Sequence, residues 1–175
     1  MRKSVLILLV CLLAVPALGS AALLRKNGDG TLSVEDGRGR VVVAVRGAVI
    51  GRFDRGSVTI YDRTPRDAFT PRVWGALPAF QIGLNGERHQ GENVRFRLLG
   101  GEFIVVVRGS GIELSAVGTG SVTLEGRGRA PGVYSLEGED CSAPRARCPV
   151  LPDPAKTFRI GTDPDERASS RPSGG

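Results

Sequence analysis

One histidine, one tryptophan, one methionine and three cysteines in 175 residues leave this chain few ways to do catalysis or hold a metal. A serine or cysteine nucleophile needs a base close by, and the only imidazole is His89. It lies in the polar stretch 85–92 between Glu87 and Glu92, which reads as a solvated loop. Two sulfurs and one distant imidazole do not make a tetrahedral metal site, so neither a metal nor a cofactor is expected. Glycine-rich phosphate loops open helices, whereas the Gly-x-Gly pairs here fall in turns between strands.

Aromatics make up only 5% of the residues, and lysine is confined to Lys3, Lys26 and Lys156. So poor an aromatic supply makes nucleic acid a poor expected partner. Arginine carries nearly all of the formal charge of +6, a bias that fits a GC-rich bacterial genome. Most of these arginines read as solvated strand faces; the alternative is a patch for anionic envelope polymers, which would act at long range and be salt-sensitive.

Long apolar runs are missing too, except for one at the start. After Met1-Arg2-Lys3 no charge appears from Ser4 to Leu24, Pro16 interrupts the run, and small residues follow. Residues 1–21 therefore read as the helix of a secretory signal peptide, cut near Ala21. An uncleaved anchor is the rival reading, since roughly 20 uncharged residues can span a bilayer. Arg25-Lys26 on the translocated side count against it. Cleavage takes away Cys11, leaving Cys141 and Cys148, an even pair expected to form one disulfide in a secreted or extracytoplasmic compartment. It also lowers the basic count from 24 to 22 against 18 acids, a net charge of about +4.

What remains reads as strands. Runs rich in valine, isoleucine and threonine at 31–34, 40–46, 48–53 and 57–61 are separated by glycine with aspartate, the pattern of hairpins. No helical apolar stripe follows residue 25. The stretch 27–36 resembles a calcium loop at Asn27, Asp29, Gly30, Leu32 and Asp36, but Arg25 stands where the first carboxylate belongs and a strand follows instead of a helix. It reads as a turn into the first strand.

The chain also repeats itself. Val43-Ala-Val-Arg-Gly47 and Gly56-Ser-Val-Thr-Ile60 recur in order as Val105-Val-Val-Arg-Gly109 and Gly120-Ser-Val-Thr-Leu124. Two tandem four-stranded repeats are expected, at about 31–61 and 94–125, packed as a β-sandwich or closed barrel, with a short β-solenoid as the alternative. Valines on both faces of 41–45 and of 103–107 predict strands buried on both sides. The single β domain would cover 22–160, with an insertion at 62–93, a disulfide-bearing part at 126–160 and a disordered tail at 161–175.

Within the insertion, Trp74 and Arg72 are the candidate ligand contacts, suited to a sugar ring or an anionic polymer. The competing role for Trp74 is to plug the open end of the core. These observations point to an exported or envelope-associated binding or structural module rather than an enzyme, with an envelope glycan, an anionic polymer or another exported protein as partner. The alternatives are a polysaccharide hydrolase using loop carboxylates, and a docking domain recognisable by an exposed apolar patch.

Overall fold

The structure is a computed structural model and describes residues 30–161; the leader at 1–21 and the tail beyond 161 lie outside the described residues. The described part is all β, with no helix. Six strands are present: β1 (Gly30–Asp62), β2 (Arg72–Ala76), β3 (Phe80–Ile82), β4 (Gly86–Gly126), β5 (Val133–Ser135) and β6 (Lys156–Ile160).

Two of them dominate. β1 has 33 residues and β4 has 41, where ordinary strands have about five or six. They run antiparallel and pair along both edges. Val41 lies between Val107 and Leu124, Val107 between Val41 and Val58, and Val58 between Val107 and His89. Each long strand must therefore bend back across the other. The bends fall where backbones touch. Gly56 sits opposite Gly109, both at positive φ (153° and 154°), and a Cβ on either would overlap a carbonyl oxygen of the facing strand. Only glycine fits such an approach.

The result is one six-stranded antiparallel sheet in the order β2-β4-β1-β5, with β3 and β6 added to β4. It is not closed, which corrects the closed-barrel form of the expectation: β2 and β3 on one side never pair with β5 or β6. Nor do the strands stack in parallel as in a β-helix, since every pairing is antiparallel.

Period-two patterning fills the core. Val41, Val43 and Val45 join Phe103, Val105 and Val107 in one buried cluster with Phe53, Phe96, Leu98, Ile112 and Leu124. The opposite faces depart from the two-sided burial expected of these strands. Val42, Ala44, Ile104 and Val106 are only partly buried. Their segments are central in hydrogen bonding, so small β-branched side chains shield one another across the ladder without a second layer.

The insertion at 62–93 is more regular than its composition implies. It supplies β2, β3 and the first residues of β4. His89, expected in a solvated loop, lies within β4 opposite Val58, with its side chain only 14% exposed. A turn at residues 83–85 precedes β4, which begins at Gly86.

Candidate functional site

Alternation along three neighbouring stretches builds a polar face over the core. In 94–98, Val94, Phe96 and Leu98 are buried, so Arg95 and Arg97 point the other way and are exposed. In β2, Val73 packs against the core while Arg72 and Trp74 are exposed. Antiparallel register then sets Arg72 opposite Arg97 and Trp74 opposite Arg95. On the other side of 94–98 runs a segment of β1, with Arg52 opposite Arg95 and Ile50 opposite Arg97. Beyond it Glu113 faces Arg52, and Ser115 faces both Ile50 and Ser33. Directly paired residues share a sheet face, so these side chains form one surface.

Apart from Arg72, which lies just outside it, that surface lines an open groove of about 1170 Å³ whose far end also holds Glu35 and Asp36. Phe96, Gly51 and Leu114 contribute to the floor from below, and Phe96 lies so close under Gly51 that a Cβ there would overlap its ring. A bulge between Trp74 and Ala76, at Gly75 (φ 77°), ends the regular pairing beside Asn93. Trp74 is thereby the last regular rung of the edge strand. It is 49% exposed and does not plug the core, which corrects that reading of the residue.

The far wall of the groove is built by the disulfide segment. Cys141 and Cys148 form a disulfide pair with Cα atoms 5.6 Å apart. The Cys141 amide donates to Glu35 Oε1 at 2.9 Å, and Ser33 Oγ donates to the Glu139 carbonyl at 3.1 Å. Ser142 reaches the groove from this segment.

Charge in the groove is unevenly compensated. Arg52 grips Glu113 with both ends of its fork, Nε donating to Oε2 at 2.7 Å and Nη2 to Oε1. The hydrogen bond from Arg52, helped by its charge, holds the Glu113 carboxyl below the usual glutamate range. Arg72, Arg95 and Arg97 make no salt bridge with any described residue.

Sequence reasoning reached Arg72 and Trp74 but missed Arg95, Arg97 and Arg52. Their signal was present in the alternation Val-Arg-Phe-Arg-Leu at 94–98, which by itself says only that two arginines face outward. Their meeting with Trp74 depends on the register between distant segments.

His89 stands apart from this groove. Its Nε2 is 3.5 Å from Glu87 Oε2, and no serine, threonine or cysteine among the described residues hydrogen-bonds to it. Among the described residues there is also no cluster of three His, Cys, Asp or Glu side chains placed to hold a metal. No protein-family model matches the chain, and neither does any curated protein or solved structure.

Proposed function

We propose that the chain is an exported, envelope-associated β-domain that binds an anionic ligand in the Trp74 groove and does not transform it. One observation carries this reading: an exposed indole sits opposite Arg95 and beside the Arg72–Arg97 pair, three guanidiniums with no carboxylate partner among the described residues. An indole offers apolar area and a polar N–H, and free guanidiniums attract anions. The hydrolase reading would draw on Glu35, Asp36 and Glu113, which line the same groove, but two of the three are engaged. Glu113 is held ionised by Arg52, which unsuits it as a general acid, and Glu35 is occupied by the Cys141 amide.

Export, as this reading takes it, follows from the leader at 1–21 and from the Cys141–Cys148 pair, which suits an oxidising compartment. The reading also takes the fold as a β-sandwich of two tandem repeats. Its support is that the four glycines of the repeated motifs, Gly47, Gly56, Gly109 and Gly120, share φ values of 153–156°. Each also lies against a carbonyl oxygen of the facing strand.

The experiment is a binding screen of envelope polymers and glycans against wild type and Trp74→Ala. Weakened binding of an anionic polymer by the variant is the expected result, and equal binding by the two proteins removes the groove from consideration.

A separate observation favours a second reading, docking of another exported protein. Phe69, Leu77, Phe80 and Leu84 are exposed, Leu84 at 96%, and all come from the insertion. Leu84→Ser with Phe80→Ser would abolish capture of such a partner while leaving polymer binding intact.

A further inference from the structure

Some of the charges that line the groove are engaged within it, while Asp36 adds a further carboxylate at its far end. Arg52 has Glu113, and Glu35 has the Cys141 amide. The cationic corner lies at β2, where Arg97 in the groove faces Arg72 just outside it directly across the ladder, and Arg95 stands two residues along on the same face. Like charges directly opposite each other repel and destabilise a strand pair. No acid of the described residues relieves this corner, although Glu113 lies one strand beyond it. The aromatic side chain exposed beside the arginines is the Trp74 ring, opposite Arg95, with the exposed Ile50 opposite Arg97 on the other side.

We infer that this corner is a subsite for a uronic acid residue of a linear acidic polysaccharide, with the Trp74 indole against the sugar ring and the guanidiniums of Arg95 and Arg97 on its carboxylate. The inference rests on the binding role proposed above and gives that role a ligand class.

Three features suit this ligand, and the first sets it apart from a phosphate polymer. Directly paired side chains in an antiparallel ladder start about 5 Å apart, so Trp74 and Arg95 together suit a ring that carries its own acid. A polyphosphate would use the arginines and leave the indole idle. The guanidinium fork matches a carboxylate with two parallel hydrogen bonds. The groove also continues past Ile50 and Ser115 to Ser33 and Ser142, and its 1170 Å³ exceeds the roughly 300–1,000 Å³ of ordinary small-ligand pockets. That length offers the Ser115 hydroxyl to a further sugar unit, the Ser33 and Ser142 hydroxyls being engaged by the Glu139 carbonyl and Asp140, and brings Glu35 and Asp36 to the far end.

Because Trp74 is the sole tryptophan, its fluorescence reports on this corner alone. The purified full-length protein is titrated with polygalacturonate, with neutral dextran and with inorganic polyphosphate, following both tryptophan emission and heat. Polygalacturonate should bind in a salt-sensitive way and shift the emission. Dextran should do neither, and polyphosphate should leave the emission unmoved. Arg95→Gln and Arg97→Gln should each weaken polygalacturonate binding by about tenfold, the scale of one lost charge-assisted hydrogen bond. Their melting temperatures should stay level or rise, because repulsion is relieved.

Failure separates the two claims. If polyphosphate moves the emission as polygalacturonate does, or if dextran binds as tightly, the uronate subsite is wrong while a binding groove stands. Unchanged polygalacturonate affinity in both arginine variants with intact melting has the same consequence. If none of the three polymers binds, the subsite falls, and the binding role then stands or falls on the wider polymer screen.

Discussion

Single residues set where this sheet can bend. Gly109 faces Gly56 at a distance that leaves no room for a methyl group, and its φ of 154° disfavours any side chain. Gly109→Ala should therefore cost more than about 2 kcal/mol, combining backbone strain with displacement of the facing strand. Gly83 is the control. Its φ is also positive (64°), but nothing lies within 4 Å of a Cβ placed there, so Gly83→Ala should cost only about 1 kcal/mol. Urea melts of the two variants check the contrast. Nothing in the sequence separates the two glycines; the facing carbonyl that does so is contributed by a remote part of the chain.

A second residue-scale consequence concerns pH. The folded protein lowers the Glu113 pKa through Arg52, so the pair stabilises the fold above the ordinary glutamate value of 4.5. That contribution is lost as pH falls through the lowered folded value. Arg52→Gln should melt below wild type at neutral pH, with the gap shrinking as pH drops below 4.5. Both groups are about half exposed, so the gap should be small and should narrow with added salt. Melting curves across pH at two ionic strengths check it.

At the scale of elements, the valine-rich segments were legible as strands because short runs of β-branched residues bounded by glycine favour that state whatever the partner. Residues 41–45 and 103–107 bury one face. The other face was misread because β-branched side chains there look like core, yet they are shielded only by cross-strand neighbours. The segment 87–92 carried no such signal. Its polar residues became strand because Tyr61 to Arg55 on one side and β3 on the other offer backbone partners.

The disulfide segment is an element of a different kind, held by hydrogen bonds to the edge of β1. Closing so short a loop contributes about 2–3 kcal/mol at most by the loop-entropy estimate. Cys141→Ser with Cys148→Ser should lower global stability by no more than that and speed amide exchange at Cys141's position and its neighbours. Exchange in the 103–107 ladder should stay slow.

At the scale of the molecule, two long strands laid back across each other leave one polar face free of any covering layer. Arg95 and Arg97 come from one segment, Arg72 and Trp74 from another, and the floor from a third. None of these stretches announces a site alone. Composition identified Trp74 as unusual because it is unique, and Arg72 because it is near in sequence. The rest became visible only when register placed them side by side.

The account stands or falls on whether ligand binds that face. The direct measurement is amide chemical-shift mapping of the protein with and without a short oligogalacturonate. Perturbed amides should concentrate at 31–35, 48–53, 72–76, 94–98 and 113–117, with Trp74 and Arg95 among the largest. Shifts confined to the opposite face, at 42–44 and 104–106, or no shift at saturating oligogalacturonate, would contradict it.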